Sequence, residues 1–179
     1  MTKIIFCFNS SEIDDLINEI YLKNLKANIG GILLTPNNFE NTLDRHLWHK
    51  PQLAFILHST PNYPQVNNIA LIICEENSYK KNLKEFINYT PINSENIKSP
   101  QSQKRQYLIN LGADPLEHLA LFDEVYEIVP VKDLPTYPTF PNINQAITSA
   151  RNRYRYYNEQ GYQIVNDDQS QKVREYATN

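Results

Sequence analysis

The chain has 179 residues, with 17 Lys and Arg against 20 Asp and Glu, a formal net charge of −3 and an apolar fraction of 41%. That length fits one domain with a real core, the apolar content is too high for disorder, and the charge excludes a wholly basic nucleic-acid binder while allowing a local basic stripe. No apolar run is long enough to span a bilayer, so no membrane partner is expected.

In chain order, Ile4–Phe8 reads as a first strand, because a short run of β formers follows the initial Met1-Thr2-Lys3. Ser11 with Asp14 makes an imperfect capping box, and Ile13, Leu16, Ile17 and Ile20 then recur at helical spacing. Ile29–Leu34 is a second strand, halted by Thr35-Pro36-Asn37-Asn38. Phe39, Leu43 and Leu47 mark the next helix. Leu53–Leu57 is expected as a third strand and Ile69–Cys74 as a fourth, apolar on both alternations as a strand covered on two faces should be. Ser78 opens a helix carrying Tyr79, Leu83, Phe86 and Ile87.

Residues 90–104 read as an exposed polar loop. A helix is expected near Gln103–Leu111, stopped by Gly112, and Asp114-Pro115 looks like another helix start. Val125–Val129 is the fifth strand. Pro130, Pro135, Pro138 and Pro141 predict a stiff extended connection. Ile143, Ala146, Ile147, Ala150, Tyr154 and Tyr157 then define a strong helix ended by Gly161, with an edge strand at Tyr162–Val165.

Strands alternating with helices predict an α/β fold. We expect a three-layer sandwich around a mostly parallel sheet of five to six strands, mixed if the third and fourth strands run antiparallel. Residues 1–165 form the single domain in this reading and 166–179 a polar C-terminal tail.

Function is less legible. Four glycines leave no phosphate-cradling G-x-x-x-x-G-K-[ST] and no G-x-G-x-x-G, and no motif calls for a cofactor. Cys7 and Cys74 sit inside apolar runs without basic neighbours, which points to buried thiols in a reducing, cytoplasmic setting. Ligands of open α/β sheets bind beyond the carboxyl ends of the strands. That rule gathers Ser10, Ser11, Asn37 and Thr60 as ligand-binding candidates, with His58 and Glu75 as catalytic ones. Ser10 and Ser11 amides at a helix N-terminus would seat a phosphate and His58 would act as acid or base.

The expected activity on this reading is binding of a phosphorylated or nucleotide-type ligand, with hydrolysis of its phosphodiester as the candidate reaction. Asp44, His46 and His49, with His58 nearby in sequence, form a second cluster. Asp44 falls off the histidine face of a helix and Lys50 lies next door, so no metal site is expected there.

Arg151, Arg153 and Arg155 interleave with Tyr154, Tyr156 and Tyr157, the vocabulary of nucleic-acid or partner binding. Lys104 and Arg105 would extend that basic surface. The alternative expectation is therefore a non-catalytic subunit of a nucleoprotein or protein assembly, contacting RNA, DNA or an acidic partner through this helix.

Overall fold

A computed structural model describes residues 1–10, 12–49, 56–62, 69–89, 103–134, 137–138, 140 and 142–171. In chain order the elements are β1 (Lys3–Ser10), α1 (Ile13–Lys26), β2 (Gly30–Thr35), α2 (Glu40–His49), β3 (His58–Ser59), β4 (Leu71–Glu75), α3 (Glu76–Phe86), β5 (Asn88–Tyr89), β6 (Gln103–Asn110), β7 (Glu124–Pro130), α4 (Ile143–Glu159) and β8 (Gln163–Asp168).

Among the described residues, seven strands lie side by side in the order β3-β4-β2-β6-β7-β1-β8, one or two more than expected. Every neighbouring pair in that series is parallel. Only the two-residue β5 runs antiparallel, against the start of β6. A strand covered on both faces needs apolar side chains on both alternations, and β2 meets this with all six residues buried.

The two faces are filled by different helices. On one, Leu16, Ile17 and Ile20 of α1 and Leu43 and Leu47 of α2 pack against Ile5, Leu33, Ile73 and Tyr107 of the sheet. On the other, Tyr79 and Leu83 of α3 and Tyr157 of α4 cover Ile4, Ile32, Ile72, Leu108 and Val125. This is the three-layer α/β sandwich. No helix among the described residues is long and apolar enough to cross a membrane.

Four expectations are corrected. Residues 103–111 are not a helix: Gln103–Asn110 is the central strand β6, whose Leu108 and Ile109 are both fully buried on opposite faces. After Asp114-Pro115 comes only a single 3-10 turn, Leu119–Leu121, entered through His118 in the left-handed region (φ 61°). The segment after Pro130 folds back on itself instead of extending: the Leu134 and Phe140 N–H groups donate to Phe140 O (2.8 Å) and Tyr137 O (2.9 Å), and Tyr137 and Phe140 enter the core. Glu12 holds the N-cap position of α1 without a side-chain hydrogen bond, and Asp14 of the supposed capping box is buried against His46 and Tyr137. Residues 51–55 of the expected third strand lie outside the described residues. The described edge strand is His58–Ser59, parallel to β4. β8 pairs through Asn166, Asp167 and Asp168 with Phe6, Cys7 and Phe8.

Candidate functional site

The carboxyl ends of the strands form a crest whose two faces carry different chemistry. Leu34, Asn110 and Glu127 are aligned across β2, β6 and β7. From that row Glu127, with no solvent exposure, reaches α4. Its carboxylate accepts from Arg153 Nε at 2.7 Å, Tyr157 Oη at 2.7 Å and Asn110 Nδ2 at 3.1 Å to each oxygen. Arg153 Nη1 also donates to Ala113 O (3.1 Å) and Ser149 Oγ (2.8 Å), and Asn110 Oδ1 accepts from Gly112 N–H (2.8 Å). Burial, and then the Glu127 charge, pushes the Tyr157 phenol up. A buried ion pair is stable only when its remaining donors and acceptors are met, and here they are. The network fastens α4 to the crest.

On the opposite face Thr35 pairs with Glu75 across β2 and β4. Glu40, at the start of α2, is also buried there and takes a hydrogen bond from the Glu75 backbone. Desolvation, reinforced by the Glu75 and Asp44 charges, raises the Glu40 carboxyl to about 7. On the α4 side, burial raises Glu76 at the start of α3, with Asp114 adding to it. This is a field hostile to an anion.

The proposed catalytic pair is not assembled. His58 is level with Leu71 in the parallel β3–β4 register, four residues before Glu75, so the two are separated by roughly 13 Å along the strand direction. His58 is buried, with Nδ1–H donating to Ile56 O at 2.6 Å and Nε2 standing 3.3 Å from Asp44 Oδ1. Ser10 is buried and its hydroxyl donates back to Cys7 O at 3.0 Å, spending it on the end of β1. Ser11 lies outside the described residues. Asn37 is exposed and its Oδ1 accepts from Asn77 N–H at 3.0 Å, tying the β2 and β4 ends together. Thr60 follows β3 at half-burial, with its carbonyl beside Ser59 Oγ at 3.4 Å. These residues do not converge into a phosphate seat.

The basic candidates divide cleanly. Arg151 and Arg155 are exposed one turn apart on α4, and Tyr154 between them is 40% exposed, its ring 5.2 Å from Phe6. Arg153 is a correction: it points inward to Glu127 and offers nothing to a partner. Arg105 is another, wholly buried, with Nη1 donating to Ile69 O at 2.8 Å. Lys104 is exposed at the start of β6. The Arg153 placement had a sequence signal, since Ala146, Ala150, Arg153 and Tyr157 follow a 4-3-4 stripe and are the buried residues of the helix.

The histidines of α2 separate as well. His46 Nε2 sits 3.1 Å from both Asp14 carboxylate oxygens, and Tyr137 Oη donates to the same carboxylate. His49 Nδ1 donates to Arg45 O at 2.6 Å. Among the described residues no three His, Cys, Asp or Glu side chains form a metal-binding group. The Asp14–His46–Tyr137 set, which spans α1, α2 and the 131–140 loop, has no local sequence spacing that would announce it.

A comparison with curated proteins returned no match. Against protein-family models, residues 1–165 match that of the DNA polymerase III chi subunit, HolC.

Proposed function

The chain belongs to the DNA polymerase III chi subunit family, and on that premise we propose that it is a non-catalytic accessory subunit acting in the cytoplasm, docking a protein partner of the polymerase assembly on the outer face of α4. The family match over residues 1–165 carries this reading. The α4 face supports it. Arg151 and Arg155 present two guanidinium forks flanking the exposed Tyr154, a combination suited to carboxylates next to an apolar side chain. The buried Arg153–Glu127 bond fixes the rotation of the helix, so this face is set before any partner arrives.

Two exposed arginines are few for a nucleic-acid track, which draws its affinity from many phosphate contacts. An acidic protein segment is the better fit. The phosphorylated-ligand and hydrolase reading has no support from the placement of Ser10, His58 and Glu75.

The test is co-purification of the tagged full chain with the polymerase III subunits of its host. Wild type should carry a subunit along, and Arg151→Glu with Arg155→Glu should release it while His58→Ala does not. Retention of the subunit by the double charge reversal would remove α4 from the interface. Binding instead to single- or double-stranded DNA, weakening steeply with salt, would replace the protein partner with nucleic acid.

A further inference from the structure

His58 is held in an unusual way for a buried imidazole. Its side chain is 1% exposed, and Nδ1 faces a carbonyl oxygen, Ile56 O, at 2.6 Å. A carbonyl can only accept, so Nδ1 carries a proton, and in the uncharged tautomer Nε2 is left with a bare lone pair. That lone pair passes beside a carboxylate: Asp44 Oδ1 is 3.3 Å away, within ion-pair range, yet among the described residues Nε2 makes no hydrogen bond to it or to any other group. An imidazolium bonded to Asp44 would direct its N–H at the oxygen, and the ring is not so directed.

Two acceptors set side by side converge naturally on a cation. Ligands on a tetrahedral ion with bonds of about 2.0–2.1 Å stand about 3.3–3.4 Å apart, which matches the observed separation. Histidine that ligates a metal through one nitrogen regularly donates its other N–H to a carbonyl or carboxylate, as His58 does to Ile56. The surrounding field is right: Glu40, one helical turn before Asp44, feels the Asp44 and Glu75 charges. The Asp44 side chain is 29% exposed, so the waters of such an ion would lie on its side.

We propose that His58 Nε2 and Asp44 Oδ1 are the two protein ligands of a site for a borderline divalent transition-metal ion such as Zn²⁺, completed by water. Imidazole with carboxylate selects such an ion over Mg²⁺ or Ca²⁺, which favour all-oxygen shells. With two protein ligands the site is smaller than the three-residue sets absent among the described residues, and its affinity is correspondingly modest. It pins the middle of α2 to the β3 edge of the sheet.

The protein carries its own reporter. Trp48 is the single tryptophan, and its ring centroid lies 4.7 Å from that of His58. Metal-free full-length protein titrated with Zn²⁺ at pH 7.5 should show a saturable change in tryptophan fluorescence with one equivalent, reversed by a chelator. Asp44→Asn, which keeps the side chain's shape, should weaken the midpoint at least tenfold, and His49→Gln should leave it unchanged. X-ray absorption at the zinc edge should show one imidazole and otherwise oxygen neighbours. Fluorescence blind to Zn²⁺ but responsive to pH would make His58–Asp44 a plain ion pair and overturn the proposal. A zinc response undiminished in Asp44→Asn would overturn it equally, by placing the ion elsewhere.

Discussion

Replacing Arg153 with Met tests whether the Glu127 network holds α4 in place. Met keeps much of the length and all of the apolar character of the arginine stem. It deletes the 2.7 Å bond to Glu127 and the donors to Ala113 O and Ser149 Oγ. Glu127 keeps Asn110 and Tyr157 but, among the described residues, loses the only cation bonded to it, at a site with no solvent exposure. Stranding one member of a buried ion pair costs about 3–5 kcal/mol, a large share of the roughly 5–15 kcal/mol that stabilises a typical domain. At about 2–4 °C per kcal/mol for a chain of this size, the melting temperature should fall by about 10 °C. Urea unfolding of the full chain, followed by circular dichroism, reads the loss directly. Adding Glu127→Gln removes the stranded charge, so the double variant should regain about 2 kcal/mol over Arg153→Met alone. A single-variant loss below about 1 kcal/mol, or a double variant less stable than the single, would show that the ion pair is incidental to the fold.

Two further outcomes follow from the structure. Burial raises the Glu40 carboxyl to about 7. The native state therefore binds more protons than the unfolded chain between about pH 4.5 and 7, and stability declines as pH rises through that window. Glu40→Gln should flatten the decline and stabilise the protein at pH 8 by no more than about 3 kcal/mol, as thermal melts across that range would record; an unchanged pH profile would count against the buried acid. At Gly31 an ideal Cβ would stand 2.5 Å from Tyr107 Cε1 and closer still to its Cζ. Gly31→Ala should cost at least about 2 kcal/mol by chemical unfolding, and adding Tyr107→Leu should relieve part of it.

The elements that the sequence revealed are those with one clear period. The helical recurrence of Ile13, Leu16, Ile17 and Ile20 and the two-faced apolar run before Glu75 translate directly into α1 and β4. Gln103–Asn110 escaped because the consecutive polar residues Lys104, Arg105 and Gln106 hide the apolar run of a buried strand and Gly112 looks like a helix stop. In the folded chain Arg105 is absorbed by carbonyls of the 69–70 segment, a long-range solution with no trace in local spacing. The same holds for the site. Arg151 and Arg155 were legible as outward residues from helical geometry alone. The partnership of Asp44 with His58, and of Asp14 with His46 and Tyr137, depends on how α2 lies against its neighbours, which no pattern within α2 encodes.

The order of the strands has a consequence for how the protein comes into being. β1 is made before both of its neighbours, β7 and β8; Lys3 pairs with Glu124 and Gln163, about 120 and 160 residues further on. On the ribosome β1 must therefore wait, apolar and without its native partners, until both of those later strands have emerged. Closing loops of that length before any pairing rewards them slows folding. The nascent chain would spend that interval as a natural client for a chaperone that shields a bare strand edge.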